Sequence, residues 1–391
     1  MRVAFLTPTL PWPANTGGTL RTYHLLRGLA GRHPVDLFSF HYGPPPATGP
    51  LATICDQVIP VQLGEGYSHR RRLLDVLGTH PRSVAYFYTP TAQATMARHL
   101  HPNYALIVCD EVILHPYLAM VKRVPSLLLR PKIDHLHYAE MAAERPWGIA
   151  KLLDLLEARR LRRYEVQVLP HYAGAVVCSQ DDQMITNRQS NSLPVTVIPN
   201  GADTAYFQPV RQPDKAPTVL LLGTMHYYPN VDSVHYFFET MYPALRARFP
   251  DLQVFIVGHQ PPPEICALAN QPGVTVTGSV EDVRPYMARS WLLAVPLRLG
   301  GGTRLKITEA FAAGLPVVST TIGAQGLTAQ AGQHLLLADE PHSFITAIEQ
   351  ILTTPPLAQQ LAVAGRRLAE SAYSWQALGE QFATVCEQTA T

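Results

Sequence analysis

Short apolar runs recur along the chain, separated by stretches in which apolar residues return with a helical period. Apolar runs without polar alternation are typical of strands in parallel sheets that are covered on both faces. The first half contains the runs Val3–Leu6, Val35–Phe40, Leu106–Cys109, Ser126–Leu129 and Ala175–Cys178, and the second half contains Val219–Leu222, Gln253–Val257, Val274–Thr277, Trp291–Val295 and Pro316–Thr320. The pattern predicts an α/β fold with two doubly wound, Rossmann-like domains.

A segment rich in Pro, Gly and Asn, Ile198–Asp214, separates the two sets of runs. We therefore expect an N-terminal domain over residues 1–199, a linker over 200–214 and a C-terminal domain over 215–371. A terminal helix over 372–391 is expected to pack back toward the first domain. Ligands of doubly wound sheets bind at the carboxyl ends of the strands, so a cleft between the domains is the expected site.

Composition narrows the function classes. The chain has 391 residues, of which 47% are hydrophobic and 15% charged, with a net charge of +2. This balance argues against a nucleic-acid partner. Five scattered cysteines without a Cys-x-x-Cys pair indicate reduced thiols. The first apolar run is short and ends in proline, which predicts a first strand rather than a signal peptide, and hence a cytoplasmic protein or one peripheral on the cytoplasmic membrane face.

The segment from Pro296 to Pro316 carries the clearest chemical signal. Three glycines that follow a strand-like run would let the backbone approach a ligand: Gly300, Gly301 and Gly302. Thr303 is the expected N-cap of a helix over Arg304–Ala313, which Gly314 would end.

Two cations, Arg304 and Lys306, fall in the first turn of that helix, where acidic residues are normally preferred. Their presence favours a bound anion such as a phosphate. Glu309 lies roughly 7 Å beyond Arg304 along the axis, within reach of the ribose of a nucleoside diphosphate. The alternative interpretation is a tight Gly-rich turn followed by solvated basic residues.

A long helix is predicted near Ile149–Leu169. It begins with leucines and continues with a basic cluster of Arg159, Arg160, Arg162 and Arg163. One interpretation is a helix that lies on an anionic membrane surface, and the other is a surface helix with a buried leucine stripe. A second basic cluster, His69–Arg72, has the same ambiguity.

Several segments, in order, resemble the family-4 retaining glycosyltransferases, which use nucleotide sugars and have the GT-B architecture. They are Ala175–Asp182 (AVVCSQDD), Val197–Phe207 (VIPNGADTAYF), Leu221–Asp232 (LLGTMHYYPNVD), Gly273–Val283 (GVTVTGSVEDV), the Pro296–Pro316 segment and Tyr373–Trp375. The GGGTRLK form of the motif resembles a subgroup linked to exopolysaccharide and cell-surface glycan assembly. The resemblance implies metal-independent transfer, with retention, from a UDP- or GDP-linked sugar to a glycan, glycolipid or lipid-linked acceptor, without a further cofactor.

The resemblance also implies roles for individual residues. Gly17 and Gly18 match a loop that faces the donor phosphates, Gly223 and His226 lie on the donor-side loop, and Glu309 matches the ribose contact. In the first domain, Glu111 is the best acid for an acceptor hydroxyl. His115, together with His135 and His137, follows first-domain strands, where the family often has a histidine near the transferred sugar. Each of these histidines, and His226, also fits a structural role.

The chain departs from the family pattern at two places. Gly301 stands where the family has the first of two glutamates, which normally touches the transferred sugar. The loop after Gly223 lacks the usual Arg and Lys, so Arg304 and Lys306 would supply the cationic contacts in a sequence without Asp-x-Asp. Two alternatives remain open: a sugar-nucleotide epimerase of the same architecture, and a non-catalytic nucleotide-sugar-binding regulator.

Overall fold

The protein is composed of two units, each built around one parallel sheet. The computed structural model describes residues 1–66, 75, 78–225, 227–299 and 304–391. Unit 1 comprises Met1–Ile198 and Leu378–Thr391, and unit 2 comprises Pro199–Ala377. The prediction of an α/β fold with two Rossmann-like sheets is confirmed.

The sheet of unit 1 has seven parallel strands in the order β3-β2-β1-β4-β5-β6-β7. The strands are Val3–Thr7 (β1), Val35–Tyr42 (β2), Gln57–Gly64 (β3), Leu106–Asp110 (β4), Ser126–Arg130 (β5), Gly174–Val177 (β6) and Val195–Val197 (β7). The described helices are Gly17–Ala30 (α1), Leu51–Ile54 (α2), Arg82–Phe87 (α3), Pro90–His99 (α4), Asp134–Glu144 (α5), Ile149–Val168 (α6) and Gln180–Gln189 (α7), with 3₁₀ turns at Val112–Val121 and Leu169–His171.

The sheet of unit 2 has six parallel strands in the order β10-β9-β8-β11-β12-β13. The strands are Thr218–Leu222 (β8), Gln253–Val257 (β9), Val274–Gly278 (β10), Leu292–Val295 (β11), Val317–Ser319 (β12) and Leu336–Leu337 (β13). The described helices are Tyr228–Thr240 (α8), Tyr242–Arg248 (α9), Pro263–Ala267 (α10), Arg284–Arg289 (α11), Leu305–Ala312 (α12), Pro341–Thr353 (α13), Pro355–Ala372 (α14) and Trp375–Ala390 (α15), with a 3₁₀ turn at Leu268–Asn270. The residues of α15 from Leu378 onward belong to unit 1.

Each sheet has a point at which the strand order reverses. In unit 1 it lies between β1 and β4, and in unit 2 between β8 and β11. The loops that leave neighbouring strands at such a point diverge to opposite faces of the sheet, which opens a crevice at the carboxyl ends. Ligand chemistry is therefore expected beside Thr7 and Asp110 in unit 1, and beside Leu222 and Val295 in unit 2.

Side chains of the central strands alternate between two apolar layers. Val219 and Leu221 of β8 pack with Phe237 on one face of the sheet. Leu220 packs on the other face with Ile307 and Phe311 of α12. Fully burying an aliphatic or aromatic side chain contributes about 1.5–3 kcal/mol, so these contacts fix the position of α12 under the sheet.

Three described strands lie outside the predicted set. They are Gln57–Gly64, Val195–Val197 and Leu336–Leu337, and each is at or next to a sheet edge. The first alternates exposed and buried residues along its length, because an edge strand is not covered like a central one. A search for fully apolar runs finds the central strands and the edge strand β10, but it passes over the other three edge strands, β3, β7 and β13.

The segment predicted as a linker, residues 200–214, packs within unit 2. Phe207 is buried in its core. Arg366 Nη1 donates to the Phe207 carbonyl at 2.6 Å, and Arg211 Nη1 donates to the Gly314 carbonyl at 3.1 Å.

The C-terminal part of α15 packs on α1 within unit 1. A Cβ added to Gly28 would lie 2.4 Å from the Gly379 Cα, so paired glycines allow the two helices to touch at their backbones. Arg32 Nη2 and His33 Nε2 each lie 2.7 Å from the Glu387 carboxylate.

The expectation of a buried leucine stripe on the helix near Ile149–Leu169 is wrong. Leu152, Leu155 and Leu156 are exposed, whereas Asp154, Glu157 and Glu165 are buried. The helix is turned this way because its acids find partners inside unit 1. The backbone N–H groups of Arg82 and Ser83 donate to Glu157, each at 2.9 Å, and Arg130 Nη2 donates to Glu165 at 2.6 Å. The cluster His69–Arg72 lies outside the described residues.

Candidate functional site

The most coherent cluster in unit 2 joins the loop after β8 to the first turn of α12. Lys306 Nζ donates to Asn230 Oδ1 at 2.8 Å. Asn230 Nδ2 in turn donates to the carbonyl of Thr224 at 2.9 Å. Asn230 therefore holds the lysine head group beside the loop that begins at Gly223, at the point where the strand order reverses.

Gly223 cannot carry a side chain in this arrangement. A Cβ at this position would lie 2.8 Å from both Lys306 Nζ and Asn230 Cγ. A Cβ at Gly258, after the adjacent strand β9, would lie 1.7 Å from the Gly223 carbonyl oxygen. Glycine at both positions leaves backbone and lysine accessible without side-chain bulk, as a site for a large anion requires.

The packing of α12 decides which side chains face this cluster. Ile307 and Phe311, four residues apart, are buried on the sheet side. Gly365 of α14 lets the neighbouring helix approach Phe311, since a Cβ there would lie 2.8 Å from its ring. Lys306 and Glu309 are three residues apart and are therefore neighbours on the helix surface.

Burial gives both of these groups unusual pKa values. Burial, helped by the charge of Arg304, lowers the pKa of Lys306 to about 7, and the charge of Glu309 acts in the opposite direction. Burial raises the pKa of Glu309 to about 7, opposed by the charge of Lys306. A phosphate next to Lys306 would favour its protonated form, so the cluster is suited to an anionic ligand.

The start of α12 differs from the sequence prediction. The helix begins at Leu305, and Arg304 occupies the N-cap position without a side-chain capping bond. The helix thus starts one residue later than the predicted start at Arg304, and Thr303, the predicted N-cap, lies outside the described residues. The predicted site residues Gly300, Gly301, Gly302, Thr303 and His226 themselves lie outside the described residues.

Unit 1 has a cavity of about 310 Å³ at its own point of strand reversal. Its charged and polar lining includes Arg82, Glu111, Lys132, Asp134, His137 and Tyr138. Glu111 follows β4, and Lys132 follows β5, so adjacent parallel strands deliver a carboxylate and an ammonium to the same edge. Lys132 Nζ lies 3.3 Å from Glu111 Oε1 and 4.0 Å from Asp134 Oδ1.

The backbone of Glu111 is strained. Its φ of 70° and ψ of 142° belong to a region that residues with a side chain rarely adopt. Such a conformation costs on the order of 1–3 kcal/mol, and it persists where the surrounding structure imposes it, often at functional sites. The strained backbone and the position beside the cavity both indicate a functional role for Glu111, as the sequence predicted.

Two carboxyl groups beside Glu111 are buried. Asp134 is 3% exposed, and its Oδ2 has no hydrogen-bond partner among the described residues. Burial and the charge of Glu111 raise the pKa of Asp134. The same two causes raise the pKa of Asp110 to about 7, although Thr7 and Thr22 donate hydroxyl hydrogen bonds to it at 2.9 and 3.0 Å.

Burial opposes the charge of Lys132, yet Glu111 and Asp134 hold its pKa above the ordinary value. The cavity therefore combines a protonated lysine with a cluster of carboxyl groups. Hydrogen-bond acceptors and donors at such short range suit a ligand with several hydroxyl groups.

The three histidines predicted in the first domain lie in different surroundings. His115 lies among the rings of Tyr164, His171 and Tyr172, at centroid distances of 5.3–6.3 Å, and is not among the residues that line the described cavity. Burial, with a contribution from His171, lowers its pKa to about 4. His135 Nδ1 lies 2.7 Å from Glu165 Oε2, whereas His137 lines the cavity.

Gly17 and Gly18 form the first turn of α1. Thr16 and Thr19 cap this helix reciprocally, with the Thr16 hydroxyl accepting from the Thr19 N–H at 3.2 Å and the Thr19 hydroxyl accepting from the Thr16 N–H at 3.0 Å. A Cβ on Gly18 would meet nothing within 4 Å. Gly18 therefore leaves open space at a helix N-terminus, and the contact of Gly17 and Gly18 with a donor stays a prediction.

Sequence reasoning missed three residues: Asn230, Lys132 and Asp134. Asn230 lies in the quoted LLGTMHYYPNVD segment, but nothing local indicates that it meets a lysine 76 positions later. Lys132 and Asp134 follow β5 directly, and polar residues at the carboxyl end of a parallel strand were the available signal.

Several solved structures match nearly the whole chain. Sucrose-phosphate synthase from Thermosynechococcus elongatus is 20% identical, with a TM-score of 0.73 over 99% of this chain and 98% of that one. The chain has the GT-B fold. HepE from Anabaena, in complex with UDP-glucose, is 16% identical, with a TM-score of 0.67 over 99% of this chain and 100% of that one. WaaG, a glycosyltransferase involved in lipopolysaccharide biosynthesis, is 18% identical, with a TM-score of 0.65 over 98% and 99%.

Residues 216–354 match the family model described as "Glycosyl transferases group 1". The matched range lies within unit 2 of this GT-B protein and includes Gly223, Asn230, Lys306 and Glu309. No curated protein sequence matches the chain significantly. Within the described ranges, no three or more His, Cys, Asp or Glu side chains are grouped so as to hold a metal ion.

Proposed function

We propose that this protein is a glycosyltransferase that moves a sugar from a UDP- or GDP-linked donor to a glycan, glycolipid or lipid-linked acceptor. The transfer proceeds with retention of configuration and without a metal ion. The observation that carries the proposal is the Gly223–Asn230–Lys306 cluster, which lies at the strand reversal of a glycosyl transferases group 1 domain.

The donor end of the reaction follows from this cluster. Breaking a sugar–phosphate bond places negative charge on the leaving diphosphate. Lys306, held by Asn230, is positioned to stabilise that charge, with Arg304 adjacent at the helix start. Glu309, one turn further along, would accept hydrogen bonds from the ribose hydroxyls. The chain lacks an Asp-x-Asp pair, so protein cations take the part of a divalent ion in this proposal.

The acceptor end is assigned to the cavity of unit 1. Glu111, Lys132 and Asp134 offer acceptors and donors for sugar hydroxyls. Glu111 would orient the attacking hydroxyl, while the leaving phosphate takes its proton, as the family resemblance implies. The likeness to HepE in complex with UDP-glucose supports a nucleotide-sugar donor. The likeness to WaaG, which is involved in lipopolysaccharide biosynthesis, supports a cell-surface glycan as the acceptor.

The test begins with a thermal-shift screen of UDP- and GDP-sugars. A ligand at a hundred times its Kd adds roughly 2.7 kcal/mol to stability, which the screen detects. Transfer of the best donor to sugar-bearing lipid acceptors is then followed in excess EDTA, with the anomer of the product read by NMR.

We expect one donor class to stabilise the protein, turnover to continue in EDTA, and the product to keep the anomeric configuration of the donor. Turnover that stops in EDTA and returns with Mg²⁺ contradicts metal independence. Interconversion of free sugar nucleotides without an acceptor identifies an epimerase, and tight donor binding without turnover identifies a regulator.

A further inference from the structure

Helix α6, Ile149–Val168, presents apolar side chains to solvent at its N-terminal end. Trp147 and Ile149 are 80% and 79% exposed. Leu152, Leu155 and Leu156 continue the same exposed stripe over the next two turns. Large apolar side chains clustered in this way on a protein surface mark interaction sites more often than isolated ones do.

The same stripe becomes basic toward the C-terminal end of the helix. Arg159, Arg162 and Arg163 are exposed and follow the leucines at spacings of three and four residues. At the other end, Lys151 Nζ lies 5.1 Å from the centre of the Trp147 ring. A tryptophan and leucines flanked by cations are typical of helices that lie in a membrane interface.

The acidic residues of α6 do not lie on this exposed face. Asp154, Glu157 and Glu165 are all buried, and the last two are held by hydrogen bonds from α3 and β5. The solvent face of the helix thus carries positive charge without a carboxylate of its own. That separation favours an anionic surface over a second copy of this chain, whose identical face offers no carboxylate of this helix to pair with the arginines.

We propose that the exposed face of α6, with Trp147, docks the protein on an anionic lipid surface. The apolar end enters the headgroup region, and the arginines contact lipid phosphates. Within the described ranges no helix is long and apolar enough to cross a bilayer, so the contact is interfacial. This inference stands independently of sugar transfer, because lipid binding can be measured without donor or acceptor.

Sedimentation with vesicles tests the proposal, with phosphatidylcholine alone compared with phosphatidylcholine mixed with phosphatidylglycerol. The charge variant replaces Arg159, Arg162 and Arg163 with Gln. Its matched control replaces three exposed arginines on other segments with Gln: Arg123, Arg188 and Arg367. An arginine near an anionic surface contributes about 1 kcal/mol, so the charge variant should bind anionic vesicles at least tenfold more weakly. The control variant should bind like the parent, and added salt should weaken the parent.

The apolar end of the exposed α6 face is tested separately. Replacing Trp147, Leu152 and Leu155 with Ser should also reduce binding at least tenfold, and these side chains are exposed, so folding is preserved. Vesicles should shift Trp147 fluorescence to shorter wavelength, a shift that Trp147→Phe removes while most sedimentation is retained. Equal binding by charge variant and control overturns the proposal, as does a parent that binds neither vesicle. Concentration-dependent self-association that only the Ser variant abolishes would identify a second copy as the occupant instead.

Discussion

The two sheets have the same kind of strand reversal but opposite chemistry beside it. In unit 2 the carboxyl ends of β8 and β11 meet Lys306, fixed by Asn230, with Gly223 leaving the lysine accessible. In unit 1 the carboxyl ends of β4 and β5 deliver Glu111, Lys132 and the buried Asp134. The first arrangement favours an anion and the second favours hydroxyl groups. The topology sets where a ligand binds, and the few residues after each strand set which ligand it is.

The largest effect is expected for Lys306→Ala. If Lys306 stabilises charge that grows on the leaving diphosphate, its loss should lower kcat by about a hundredfold and weaken donor binding less. Steady-state kinetics with a nucleotide-sugar donor measure the changes in kcat and KM separately. The matched control is Lys215→Ala, an exposed lysine of the same unit, which should leave both parameters unchanged. A change confined to KM would assign Lys306 to ground-state binding.

A smaller effect is expected for Glu309→Ala. Charge-assisted hydrogen bonds from a ribose diol contribute about 1.5–3 kcal/mol, so nucleotide affinity in calorimetry should fall by that amount. The exposed Glu264 provides the control, and Glu264→Ala should bind nucleotide like the parent. Unchanged affinity in Glu309→Ala would remove the ribose assignment and leave the anion site intact.

Gly223→Ala should weaken nucleotide binding by about tenfold, or 1.4 kcal/mol, because its Cβ would lie 2.8 Å from Lys306 Nζ and push the lysine from Asn230. Gly31→Ala serves as control, since a Cβ there meets its neighbours at ordinary contact distance, 3.5 Å or more. Isothermal titration with UDP and GDP gives both affinities. Parental affinity in Gly223→Ala would show that the close approach at this loop serves packing only.

The smallest expected effect concerns the stability of unit 1. Burial first, and then the charge of Glu111, raises the pKa of Asp134, so the folded state binds more protons than the unfolded state. Stability is therefore present at low pH and is lost as pH rises through the folded pKa. Asp134→Asn should raise the free energy of unfolding at about pH 8 by on the order of 1 kcal/mol, with less gain at about pH 5.

Urea denaturation at the two pH values tests that expectation, with the exposed Asp251→Asn as control. The control should shift stability little at either pH. A loss of stability in Asp134→Asn at the higher pH would mean that the carboxylate stabilises Lys132 more than its own burial costs, and the cavity would then be a structural ion cluster.

The sequence predicted part of the candidate site and left the rest undetermined. Lys306 and Glu309 were predicted because glycines and cations after a strand-like run carry a local chemical signature. Gly223 was predicted because its segment resembles the donor-side loop of the family. Glu111 was identified because it follows a strand. Asn230 and Asp134 were not, because their roles depend on partners supplied by distant parts of the chain. His115, predicted from its position after a strand and from the family resemblance, lies in an aromatic cluster and is not among the residues that line the cavity.

By itself, the sequence determined the central strands, the two-sheet α/β architecture and the helix that begins beside Arg304. These follow from hydrophobic periodicity and from glycine positions, which act over a few residues. Only the tertiary structure decided the orientation of α6. A helical pattern of leucines normally predicts burial, but Glu157 and Glu165 find buried hydrogen-bond partners and turn the leucines to solvent. Leaving a buried carboxylate without partners costs more than exposing a few leucines, and those partners exist only once the chain has folded.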